Sequence, residues 1–123
     1  MRFNKLRSSE SEEQIAFFQY INIRANQDVR FRNIFAIPNG GSRNKAEAVN
    51  LKRQGVLAGV PDIACMIPNS KYHGLFIEMK VGSNKPTSKQ YDVMQNLTDN
   101  GYKCVVCYSS VEAIRELENY INI

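Results

Sequence analysis

The chain has 123 residues, 43% of them hydrophobic and 23% charged, which fits one folded domain and excludes a disordered or fibrous chain. No apolar run approaches the roughly 20 residues a membrane helix needs, and the polar stretch Met1 to Glu13 has no apolar signal core, so a cytoplasmic or nucleoid-associated protein is expected. The net charge of +4 is uneven: residues 1–60 carry ten Lys/Arg against five Asp/Glu, and residues 61–123 carry six against seven, so a phosphate-rich partner would be drawn to the first half. The three cysteines, Cys65, Cys104 and Cys107, sit in apolar runs and argue for a reducing compartment without a disulfide framework. Cys104 and Cys107 spell C-x-x-C, but residues three apart on a strand face opposite sides, which places them badly for one metal.

In chain order, residues 1–9 read as a loose basic arm and residues 10–123 as the folded domain. Ser9 with Glu12 fits a capping box, with Ser11 and Gln14 as the alternative, and Ile15, Phe17, Phe18 and Ile21 carry a first helix to about Asn26. Ile34 to Ile37 predicts a short strand, broken by Pro38-Asn39-Gly40-Gly41-Ser42. A second helix is expected from Arg43 to Gln54, ended by Gly55. Ile63 to Ile67 and Leu75 to Lys80 predict two strands joined by a polar turn. Thr87 with Gln90 resembles another capping box, opening a helix with the stripe Tyr91, Met94 and Leu97. Lys103 to Tyr108 is an apolar strand, and Ser109 with Glu112 opens a last helix with the stripe Val111, Ile114, Leu117 and Ile121. The order α, β, α, β, β, α, β, α implies an α/β fold: a partly parallel, mixed central sheet with helices on both faces.

The chemistry concentrates between Pro61-Asp62 and Glu78-Met79-Lys80. Alternation along a strand puts Glu78 and Lys80 on one face, and pairing of the two strands would bring Asp62 to the same edge. A carboxylate inside Phe76-Ile77-Glu78-Met79 costs several kcal/mol unless paired or metal-bound. Asp62, Glu78 and the Met79 backbone carbonyl offer the oxygen donors that Mg²⁺ prefers. Such an ion polarises a phosphodiester and acidifies a bound water, and Lys80 would orient that water. A third carboxylate is expected from Glu10, Glu12 or Glu13, which otherwise suit the positive end of a helix. Asn39, Gly40 and Gly41 could let a DNA backbone approach closely, and Arg43, Lys45, Lys52 and Arg53 could grip phosphates, though a plain turn and a solvated basic face explain them equally.

Taken together, these segments resemble the stand-alone VRR-NUC domain (virus-type replication-repair nuclease), a branch of the PD-(D/E)xK restriction-endonuclease-like superfamily. The resemblance rests on the Glu-rich start with Gln14, Ile37 to Gly41, Gly55 to Asp62, Leu75 to Lys80, Lys85-Pro86-Thr87 with Gln90, and Gly101-Tyr102-Lys103. Aligned on Gln14, it assigns the first-helix carboxylate to Glu10, with Glu13 as substitute because position 13 departs from the family's apolar residue. It implies metal binding by Asp62 and Glu78, catalysis by Lys80, and a supporting polar role for Gln90 and Gln14. It also implies a restriction-endonuclease-like fold and a Mg²⁺-dependent endonuclease of branched DNA, Mn²⁺ substituting. A homodimeric Holliday-junction resolvase is expected, with no nucleotide cofactor and no membrane partner. Flap, nicking or exonuclease activity on other branched DNA is the alternative, and a catalytically silent DNA-binding module is the competitor from another class. With no room for a targeting domain, shape recognition is expected from the dimer surface.

Overall fold

The computed structural model describes residues 9–38 and 44–123. The expected basic arm, apart from Ser9, and the candidate DNA-contacting residues Asn39, Gly40, Gly41 and Arg43 therefore lie outside the described residues. Helix α1 spans Glu10–Ala25. It starts where predicted because Ser9 Oγ accepts from the Glu12 N–H at 3.0 Å while the Glu12 carboxylate accepts from the Ser9 N–H at 2.9 Å. A short 3₁₀ helix, Val29–Asn33, is capped by Asp28 and was not legible as a separate element. Strand β1 is Ile34–Ala36, helix α2 is Lys45–Arg53 behind the cap Asn44, and strands β2 and β3 are Ile63–Cys65 and Leu75–Met79. Helix α3, Ser88–Asp99, strand β4, Lys103–Cys107, and helix α4, Ser110–Ile121, complete the chain.

The sheet has the order β1-β2-β3-β4, with β1-β2 and β2-β3 antiparallel and β3-β4 parallel through α3. This is the mixed α/β sheet expected from the element order. Its two faces are covered differently. On one face, Phe17 and Ile21 of α1 and Ala113, Leu117 and Tyr120 of α4 pack on Ile63, Cys65, Leu75, Ile77, Met79 and Cys107. Helix α3 covers the other face, where Cys104 Sγ donates to the Met94 carbonyl of α3. Every residue of β2 and β3 is buried, which explains the apolar run of β2 and leaves Glu78 as the one charged side chain inside β3. As the predicted alternation requires, Cys107 lies on the α1/α4 face and Cys104 on the α3 face, and both are free.

Each of the three predicted helical stripes turns inward except at its first residue. In α1, Ile15 is exposed while Phe17 and Ile21 are buried. In α4, the buried line is Ala113, Leu117 and Tyr120, and Val111 is exposed. In α3, Tyr91 is exposed, and the residues turned inward are Val93 and Met94. The reason in α3 is physical: the inward line starts at Gln90, a polar residue, and continues at Val93, Met94 and Leu97 with helical spacing. Starting from the nearest apolar residue, Tyr91, adds one exposed position to a line that otherwise keeps Met94 and Leu97.

Tyr120 closes the α1/α4 face. Its hydroxyl donates to the Ile67 carbonyl at 2.7 Å, and the Asn69 side-chain amide donates to the Tyr120 carbonyl at 2.9 Å. Tyr120→Phe removes one buried donor with little change of shape. It is expected to cost about 1–3 kcal/mol in urea unfolding; an unchanged midpoint would show that the contact is dispensable.

Candidate active site

The β2-β3 register pairs Ile63 with Ile77, so Asp62, one residue before β2, stands across from Glu78. Directly opposed residues on neighbouring strands share a face. Asp62 turns its carboxylate along the strand, and Oδ2 accepts from the Met79 N–H at 2.8 Å. Two features hold the Asp62 segment in place. The Ile37 N–H donates to the Asp62 carbonyl at 2.8 Å, extending β1 alongside it. Gly59, at φ +90°, lies where a Cβ would meet the Lys89 carbonyl oxygen at 3.0 Å, so the loop rests on the first turn of α3.

Glu78 is the centre of the arrangement. It is 2% exposed. Its Oε2 accepts from Gln90 Nε2 at 3.1 Å and lies 3.4 Å from Lys80 Nζ. Its Oε1 is buried without a hydrogen-bond partner among the described residues. Burial and the facing Asp62 carboxylate push its acid up to about 7, against the pull of Lys80, and Glu10 adds to the push. Burial also raises Asp62, opposed by the Met79 N–H and the Lys80 charge.

Gln90 uses both ends of its amide. Oε1 accepts from the Thr87 N–H at 2.9 Å in the predicted capping box, and Nε2 reaches Glu78. The box therefore fixes which end of the amide faces the carboxylate. From sequence the box alone accounts for Gln90; its second contact depends on how α3 docks.

The first-helix carboxylates separate clearly. Glu10 lines an open cleft of about 590 Å³ together with Asp62 and Gln14. Glu13 points elsewhere, where its Oε1 accepts from the Ser110 N–H at 2.7 Å and so serves the first turn of α4. Glu12 belongs to the Ser9 capping box. Among the described residues, no three His, Cys, Asp or Glu side chains come together closely enough to make a metal cage of their own. Asp62 and Glu78, with the Met79 carbonyl beside them, form an all-oxygen donor set, and Mg²⁺ needs only one or two carboxylates because it keeps several waters. The unpartnered Glu78 oxygen fits such an ion.

Lys45, Lys52 and Arg53 lie on α2, a helix with no buried residue. The structure thus gathers Asp62, Glu78, Lys80 and Gln90 tightly, sets Glu10 across the cleft, and keeps the basic residues of α2 on a separate exposed element. Phe18, Gln19 and Asn22, which also line the cleft, were missed; they follow Glu10 and Gln14 at helical spacing.

Glu10→Gln is expected to slow phosphodiester cleavage at least tenfold, and Glu13→Gln to leave the rate within about twofold of wild type while a small stability change appears in thermal unfolding. Equal, near-normal rates in both variants would remove the first helix from the chemistry.

The family model of the VRR-NUC domain matches residues 4–111. A solved structure described as a VRR-NUC domain protein superposes with a TM-score of 0.78 at 31% identity, over 94% of this chain and 89% of that one. No curated protein matches the chain.

Proposed function

Because the chain belongs to the VRR-NUC domain family, a family of nuclease domains, we propose that it is a Mg²⁺-dependent endonuclease of branched DNA, acting as a homodimer on four-way junctions. The observation that carries this reading is the buried Glu78 carboxylate, held at one oxygen by Lys80 and Gln90, unpartnered at the other, and facing Asp62. Such an arrangement is costly for a fold and useful for a site that binds a cation and a phosphate. A silent DNA-binding module would have no use for it.

Asp62 and Glu78, with the Met79 carbonyl, would hold Mg²⁺, and Mn²⁺ in its place. The bound ion would supply charge to the scissile phosphate and acidity to a water. Lys80 offers a compact positive charge beside Glu78 and would orient the attacking water and offset charge gathering on the phosphate. Gln90 keeps Glu78 from turning away. Glu10 borders the cleft through which the phosphate would enter. Lys45, Lys52 and Arg53, with Asn39, Gly40, Gly41 and Arg43, would contact the DNA backbone. Two such sites related by a two-fold axis would nick a junction symmetrically.

The test is cleavage of a fixed four-way junction beside a linear duplex and a 5′ flap, with Mg²⁺ or EDTA. Paired symmetric nicks abolished by EDTA are the expected result. Cutting of the flap or duplex alone would replace the junction by another branched substrate. Cleavage that survives EDTA would overturn the metal assignment.

A further inference from the structure

The cleft that begins at Asp62 runs along one face of α1, made by Glu10, Gln14, Ile15, Phe18, Gln19 and Asn22. These positions follow helical spacing, so they form a continuous strip. From residue 10 to residue 22 the strip is about 18 Å long, enough for several nucleotides at the ~3.4 Å spacing of a stacked strand. Its composition is unusual for a surface that only grips phosphates. Beyond Glu10 and Ser11 at the Asp62 end, it combines three neutral amides with an aromatic ring and an aliphatic side chain. Ile15 is 58% exposed and so presents its side chain to the cleft. Phe18 is not a loose side chain. Its ring stands edge-on to Phe17, at 5.3 Å and 90°, and Phe17 is wholly buried. The core therefore sets the orientation of a ring that also lines the cleft.

An amide offers both a donor and an acceptor, and an aromatic or aliphatic face accepts a flat ring. Together they match a nucleobase taken out of the stack, whose edge needs hydrogen bonds and whose faces need apolar cover. A base inside a duplex offers neither to a helix surface beside the backbone. We infer that the α1 strip seats an unpaired nucleotide next to the scissile phosphate, Phe18 and Ile15 covering the base and Gln14, Gln19 and Asn22 taking its edge. The inference rests on the nuclease reading and deepens it: selection of branched DNA then comes partly from the ease of unpairing a base at a branch point.

The test is equilibrium binding in EDTA, where nothing is cut. The probes are two hairpin duplexes of one sequence, one fully paired and one with a single unpaired adenine. Wild type is expected to bind the second about tenfold more tightly. Phe18→Leu, and separately the double change Gln19→Ala with Asn22→Ala, should bring that ratio close to one while binding of the paired duplex stays near its wild-type strength. Gln19 and Asn22 are exposed, so the double variant keeps the fold whatever Phe18→Leu does. Equal binding of both probes by wild type, or an unchanged ratio in the double variant, overturns the inference. Junction cleavage in Mg²⁺ reads the nuclease reading separately: cleavage without the preference rejects the seat alone, and the preference without cleavage rejects the nuclease assignment alone.

Discussion

Glu78→Gln is expected to abolish cleavage, by a factor on the order of 10³, and to make the metal-free protein more stable at neutral pH than wild type. Both effects have one cause. The wild-type carboxyl is buried across from Asp62, and its acid stands near 7 instead of 4.5. The folded state therefore holds the proton more tightly than the unfolded chain does. Stability from protonated Glu78 is fully present below about pH 4.5 and is lost as the pH rises through about 7. At about 1.4 kcal/mol per pH unit, the loss is on the order of 3 kcal/mol. Glutamine never ionises, so it escapes this loss, although Lys80 then lacks its ion partner and part of the gain disappears. Thermal unfolding in EDTA at pH 5 and pH 8 checks this. Wild type should fall more between the two than Glu78→Gln. Added Mg²⁺ should stabilise wild type at pH 8 and leave the variant unmoved. Parallel pH trends in the two proteins would mean that Glu78 carries no buried charge worth removing. Junction binding should survive in the variant, since on the proposed reading it rests on basic residues elsewhere.

Lys80→Ala is expected to lower the cleavage rate by about 10²–10³, and Lys80→Arg should recover little of it, because a planar fork does not replace a compact ammonium 3.4 Å from Glu78 Oε2. Stability separates this from a merely structural ion pair. At pH 5 Glu78 is mostly protonated, and Lys80→Ala should unfold near the wild-type temperature. At pH 8 the uncompensated carboxylate should lower it. A variant that fails to fold at both pH values would make Lys80 a structural residue first.

Much of this was readable in the chain. Capping boxes at Ser9 and Thr87 marked the starts of α1 and α3 because their signals are local and the reciprocal hydrogen bonds use residues three apart. An apolar run marked β2 because both of its faces are buried, whereas β4, just as apolar in sequence, is only partly covered. Asp62 and Glu78 could be placed on one face because strand alternation and a short connection leave little choice. What could not be read depends on docking. Nothing local says that Glu13 would reach the Ser110 N–H, 97 positions away, or that Glu10 would face the cleft instead. The stripe of α3 departs from expectation only at its start, because the buried line opens on Gln90, a polar residue whose partner is Glu78. The 3₁₀ helix at Val29–Asn33 is too short for periodicity to reveal.

Helix α2 buries none of its residues, so the core asks almost nothing of its sequence. It is held by its Asn44 cap, by Glu47, whose N–H that cap receives at 2.8 Å, and by helix propensity. A substitution of Lys45, Lys52 or Arg53 therefore leaves the packing of the sheet untouched. On the proposed reading, the chemistry and the grip can therefore be altered separately: the residues around Glu78 can change only with the fold, whereas the charge of α2 can be changed without disturbing that site. Salt tolerance and strength of DNA attachment would then be adjustable through α2 alone.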